Sequence, residues 1–106
     1  MKVKYSKEFQ KNVLKQSGKI QISIAKAIRE VIVANSLNEI TNCKKLTGLD
    51  NIYRIRIGSL RAVFLFHILI NENGEACFLN ILPRGQIYDK KNFESFKNKD
   101  EEIANE

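Results

Sequence analysis

Residues 53–61 read Tyr53-Arg54-Ile55-Arg56-Ile57-Gly58-Ser59-Leu60-Arg61. Apolar and basic residues alternate, the alternation breaks at Gly58-Ser59, and it resumes with Leu60 and Arg61. Period-two alternation on both sides of a Gly-first two-residue break is the pattern of a β-hairpin. In that hairpin Ile57 faces Leu60, Arg56 faces Arg61 and Arg54 faces Val63. Three arginines then share one face of a sheet. Like charges set opposite each other across strands destabilise it, so this face calls for an anion, with RNA phosphate the first candidate.

Working outward, strands are expected at about 52–57, 60–70 and 76–83. Asn73-Gly74 is the strongest two-residue hairpin signal in the chain and is expected to join the last two. That turn pairs Ile70 with Cys77, Phe66 with Ile81 and Val63 with Arg84. One face then collects Tyr53, Ile55, Ile57, Leu60, Ala62, Phe64, Phe66, Ile68, Ile70, Cys77, Leu79 and Ile81, an apolar core. The other collects Arg54, Arg56, Arg61, Val63, Leu65, His67, Asn80, Leu82 and Arg84, with Tyr88 just beyond the last strand. This second face carries no Asp or Glu of its own, although Asp100 to Glu102 of the tail are within reach of it. A slip of one residue would exchange the two sets.

Towards the N-terminus, Val3 to Tyr5 suits a short first strand. Ser6 suits the N-cap of a helix running to about Gln16, with Glu8 in its first turn and Gly18 past its end. Phe9 and Val13 form its apolar stripe. A second helix is expected from about Lys19 to Asn35, where Ile20, Ile24, Ala27, Ile28 and Val31 recur at helical spacing. Asn35 to Asp50 reads mostly as connection. Asp89 to about Ile103 is weakly helical, with Phe93 and Phe96 able to dock on the body.

The chain has 106 residues, is 43% hydrophobic and carries a net charge of +6. That size suits one domain with one modest core, taken as residues 1–88 with 89–106 as a helical tail of the same domain. No apolar run approaches a membrane span, and Met1 to Tyr5 has no signal-peptide core, so a cytoplasmic protein without membrane partners is expected. Cys43 and Cys77 stand apart without metal-ligand spacing, and His67 is the one histidine. Reduced thiols, no metal and no cofactor are expected. The tail is acidic and the body strongly basic, which suits a nucleic-acid or acidic-protein partner.

Nearly the whole chain resembles the RelE/ParE superfamily of toxins from type II toxin–antitoxin modules. The resemblance rests on the order strand–helix–helix–three strands, on Lys45-Leu46-Thr47-Gly48, on Tyr53 to Gly58, on Leu60-Arg61-Ala62-Val63-Phe64 and on Pro83-Arg84-Gly85-Gln86-Ile87-Tyr88. It implies an α+β fold of β-α-α-β-β-β order: an antiparallel core sheet, two N-terminal helices on one face and a short C-terminal helix. By resemblance, Arg56, Arg61, Arg84 and Tyr88 are the candidate catalytic residues. Arg54, Lys44, Lys45 and His67 are the candidate RNA-binding residues. RelE-like toxins cut mRNA in the ribosome without a metal, by attack of a 2′-hydroxyl on the adjacent phosphate. Tyr88 would then sit near that hydroxyl, while the arginines hold the phosphate. Pro83 stands where many relatives carry a histidine.

Free tyrosine and arginine titrate near 10 and above 12, so positioning and charge are expected to carry much of the rate. His67, whose ordinary range suits proton transfer, is open to two readings: an acid–base group, or a half-buried polar residue of the strand. The resemblance also implies a cognate antitoxin, lying over the arginine face or displacing the tail. The competing functions are a ParE-like inhibitor of DNA gyrase that cleaves nothing, and an antitoxin-binding module whose catalytic set has decayed.

Overall fold

Ser6 and Ser17 set the two helices of the N-terminal half. The Ser6 hydroxyl accepts from the Phe9 backbone N–H at 3.0 Å and Ser17 from that of Ile20 at 3.3 Å, each satisfying an orphan donor of the first turn. Helix α1 runs Lys7–Leu14 and α2 Gly18–Val33. Gly18 therefore opens the second helix rather than following the first. Phe9, Ile24 and Val31 are fully buried on the shared inner face. The fold is that of a computed structural model, which describes residues 1–71 and 73–104.

The strands are β1 (Lys2–Tyr5), β2 (Cys43–Lys45), β3 (Ile52–Ile57), β4 (Leu60–Ile68) and β5 (Gly74–Pro83), in the sheet order β1-β5-β4-β3-β2. β1 runs parallel to β5 and the other neighbours are antiparallel. The expected α+β architecture is present, with β2 added at the edge inside the segment read as connection. Helix α3 spans Lys90–Ala104. No helix among the described residues is long and apolar enough to cross a membrane.

The first hairpin has the expected register, Ile57 opposite Leu60, Arg56 opposite Arg61 and Arg54 opposite Val63. Gly58 has φ +61° and Ser59 does not share the left-handed region, the signature of a type II′ turn. The second hairpin differs. Ile68 pairs with Gly74, Phe66 with Ala76 and Phe64 with Phe78, so Asn73-Gly74 is not the turn. The local turn preference yields to burial, because this register sends Ala76 and Phe78 into the core, where both are almost inaccessible. Ile70 is left outside and fully exposed.

A register change between Val63 and Phe64 then inserts one extra residue into β5, so that Val63 pairs with Asn80 and not Arg84. This β-bulge is held by side chains. Ser6 donates its hydroxyl to the Leu79 carbonyl at 2.7 Å, and the Asn80 side-chain oxygen accepts from Asn12 at 2.6 Å and from the Ile81 N–H at 2.9 Å. Asn80 therefore meets α1 and leaves the arginine face. Because one extra residue exchanges faces, Ile81 and Leu82 keep their expected sides. Cys77 and Leu79 are found on the opposite side from the one expected.

Both faces of the sheet are consequently covered. Ile55, Leu60, Ala62, Phe64, Phe78 and Ile81 pack under α1 and α2. Val63, Leu65 and Leu82, expected on an open basic face, form a second core with Leu46, Leu49, Ile52, Ile87 and Phe96. Phe93, Phe96, Asp100 and Ile103 form the inner stripe of α3. Asp100 tolerates its burial because its carboxylate accepts from the backbone N–H groups of Asp50 and Asn51 at 3.0 and 2.7 Å. This bond clamps the helix to the loop before β3, and Asp100 is occupied there rather than with an arginine.

Candidate active site

The basic residues converge at the end of the sheet beside the Gly58-Ser59 turn. Two adjacent cross-strand rows set Lys44 opposite Arg54 and Arg56 opposite Arg61. Arg84 follows the end of β5, in a short 3-10 turn (Arg84–Gln86) tied to the hairpin by its backbone N–H donating to the Ser59 carbonyl at 3.1 Å. These groups, with Lys45, Thr47 and Tyr88, line a cleft of about 760 Å³.

Arg61 is the fixed point of the cleft. Its side chain is 7% exposed, and one terminal nitrogen, Nη1, donates to the Gly58 and Leu60 carbonyls at 2.9 and 3.0 Å. That anchors one edge of the guanidinium against the turn. Burial, and then the positive charges of Arg54, Arg84 and Arg56, push its proton affinity below the ordinary arginine value, although an arginine stays charged. None of the ion pairs among the described residues includes Arg54, Arg56, Arg61 or Arg84. Among the described residues, positive charge is concentrated here with no carboxylate paired to it.

Tyr88 closes the opposite wall. Its phenolic oxygen accepts from the Thr47 backbone N–H at 3.1 Å, which leaves the hydroxyl hydrogen free to point elsewhere. Its ring stacks on Phe93 of α3 with centroids 5.4 Å apart. The Thr47 loop is held by packing and by the backbone. Leu46 is buried and donates its N–H to the Ile52 carbonyl, and Gly48 adopts φ +90° with its Cα facing the Phe93 ring. A tail helix, a loop and a strand end therefore jointly set one hydroxyl.

The cleft brings together Arg54, Arg56, Arg61, Arg84, Tyr88, Lys44 and Lys45. It does not include His67. That residue lies six positions further along β4, roughly 20 Å at the rise of a strand, and its Nε2 is 2.8 Å from Glu75 Oε1. The revised β5 register also puts Glu75 on the face expected to lack carboxylates, but at this far end. Two contributors were not read from the sequence. Asn42 lines the cleft with φ +59° and accepts the Arg56 N–H on its carbonyl; asparagine's tolerance of the left-handed region was the available signal. Phe93 was expected to dock, with no sign that it would support Tyr88. The lining has no carboxylate, imidazole or thiol, so its donor set suits an anion rather than a metal ion.

No family model matches the chain. It is 38% identical over 91 residues to toxin RelE3 of Methanocaldococcus jannaschii, covering 84% of this chain and 97% of that protein. Among solved structures it is similar to the RelB-RelE antitoxin-toxin complex from Methanococcus jannaschii, with TM-score 0.62 and 31% identity over 81% of this chain and 95% of the other. It shares its fold with the archaeal RelE-RelB complex from Pyrococcus horikoshii OT3, with TM-score 0.60 and 20% identity over 80% and 96% of the two chains. The relative at 38% identity is matched over almost its full length, and the α+β fold agrees, so the chain belongs to the RelE family of toxins.

Proposed function

We propose that this toxin is a ribosome-dependent endoribonuclease (an mRNA interferase) that inhibits translation. The observation carrying this reading is the cluster of Arg54, Arg56, Arg61 and Arg84 without carboxylate partners, facing Tyr88 across one cleft. Phosphodiester cleavage by a 2′-hydroxyl forms a bond from that oxygen to phosphorus and breaks the bond to the 5′-oxygen; the hydroxyl proton passes to water and the leaving oxygen takes a proton from water. Negative charge builds on the phosphoryl oxygens and on the leaving oxygen. Preorganised guanidinium groups stabilise both better than water does. Arg61, fixed by the turn, holds the phosphate; Arg56 and Arg84 flank it. Tyr88 orients the attacking hydroxyl, and Arg54, Lys44 and Lys45 track the neighbouring backbone.

The solved relatives are toxin–antitoxin complexes, and this chain is taken to have a cognate antitoxin of its own, acting with it in the cytoplasm where ribosomes and mRNA are found. The test is in vitro translation of a defined mRNA followed by primer extension. Cuts within ribosome-bound codons are expected, lost in Arg61→Ala and in the more exposed Arg84→Ala. Intact mRNA together with inhibited supercoiling by DNA gyrase would overturn the proposal and favour the gyrase-directed alternative.

A further inference from the structure

At the opposite end of the sheet from the cleft, three chemically distinct donors meet. His67 on β4 lies directly opposite Glu75 on β5, and Cys77 follows two residues later on the same face. Their donor atoms all lie within 4.8 Å of one another. His67 Nε2 is 2.8 Å and Cys77 Sγ 3.4 Å from the same Glu75 oxygen. We propose that His67, Glu75 and Cys77 form a binding site for a divalent transition-metal ion of the zinc type.

The donor set and spacing favour this assignment. Tetrahedral zinc bonds of about 2.0–2.3 Å place neighbouring ligand atoms roughly 3.3–3.8 Å apart. The three donors straddle that range, so admitting an ion asks His67 to withdraw from Glu75 by about half an ångström and Cys77 to swing towards the imidazole. Imidazole, carboxylate and thiolate together suit a borderline-soft ion rather than calcium or magnesium. Charge balances as well: a thiolate and a carboxylate neutralise a dication, and the thiol proton leaves for solvent.

Glu75 is buried with its partners already gathered around it. Its side chain is only 3% exposed, and its neighbours are a weak thiol donor, a neutral or protonated imidazole, and Lys4 at 3.7 Å. Lys4 is 59% exposed on the edge strand β1 and can turn to solvent when an ion takes its place. Entry is available through His67, which is 24% exposed and lines a surface pocket with Asn51, Tyr53 and Ile103. Three protein ligands leave the fourth position to water. The ion would cross-link β4 and β5 near the end of their pairing.

Cobalt(II) titration of the full chain tests the assignment independently of any nuclease activity. One equivalent is expected to produce a thiolate-to-cobalt charge-transfer band, abolished by stoichiometric zinc. Cys77→Ser should remove the band, His67→Ala should weaken binding tenfold or more, and Cys43→Ser should leave it unchanged. Zinc should also shield Cys77, and not Cys43, from alkylation in the unsubstituted protein, a readout that does not depend on any variant folding. Absence of the band from the folded unsubstituted chain, its survival in Cys77→Ser, or alkylation of Cys77 unaffected by zinc would each overturn the proposal.

Discussion

If the arginine cleft is built to bind an anion, removing one of its charges should stabilise the free protein while weakening its grip on RNA. Arg56 is the residue to change. It lies directly opposite Arg61, no carboxylate among the described residues pairs with either, and Arg56 is exposed enough to be replaced without leaving a cavity. Directly opposed like charges cost a few tenths to about 1 kcal/mol. Coulomb's law in bulk water gives about 0.6 kcal/mol at a separation of roughly 7 Å. For a chain of this size about 0.5 kcal/mol corresponds to a rise of roughly 2–4 °C in Tm. Arg56→Gln should therefore melt higher than the unsubstituted chain in about 0.01 M salt. The gain should vanish near 1 M, where the screening length falls from about 30 Å to about 3 Å. Arg56→Lys, which keeps the charge, should show little gain. Thermal melts followed by circular dichroism at both salt concentrations read the effect directly. A variant that melts lower at low salt, or a gain indifferent to salt, would refute the idea of uncompensated repulsion.

Single-stranded RNA binding by Arg84→Ala should weaken, and its log K against log salt slope should flatten by about 0.7, one phosphate contact's worth; fluorescence anisotropy across a salt series checks this, and an unchanged slope would remove Arg84 from the backbone contacts. Phe96→Ala should cost about 3–5 kcal/mol in urea unfolding, since Phe96 is 2% exposed beneath α3; a loss below about 1 kcal/mol would mean the tail helix is only loosely docked. The Glu30 carboxyl is held below the usual carboxylate range, chiefly by the Thr41 backbone N–H it accepts from, with a smaller pull from Lys26 against the opposing effect of burial. Its contribution should be fully present above about pH 4.5 and lost as pH falls through the depressed folded value. The Tm advantage over Glu30→Gln should shrink on acidification, and a constant offset would contradict it.

The elements carrying period and cap signals were legible in the chain. Ser6 marks α1 because a hydroxyl at that point satisfies a first-turn N–H. The Gly58-Ser59 hairpin is legible because its pattern reads the same on both strands and one glycine meets the positive φ of the turn. The second hairpin was not, because two cues conflict. Asn73-Gly74 favours a tight turn, while Ala76 and Phe78 favour burial, and burial of a whole aromatic side chain outweighs a local turn preference. The bulge was marked by Asn80, a polar residue in an otherwise apolar strand. Its meaning depends on Asn12, 68 residues from Asn80, and on Ser6, 73 residues from Leu79. β2 is three residues long and depends on β3 for its existence.

That conflict also determines how much of the sheet is available to a ligand. The expected register spreads the basic residues of the second face from His67 to Arg84, with Asn80 among them and Val63 paired with Arg84. The observed register adds Cys77 and Leu79 to Val63, Leu65 and Leu82 on that face, and the apolar stripe of α3 covers them, so the positive charge is confined to the turn end, where Arg61 is buried among other arginines. Confinement has an electrostatic consequence. Charges spread along a solvated face are screened singly, whereas charges crowded into one cleft act together on whatever anion enters. Phe96 and Asp100 hold α3 against the sheet and Phe93 carries Tyr88, so the same helix that closes the face also sets one wall of what remains open. Changes to the tail should accordingly alter the cleft without touching any arginine.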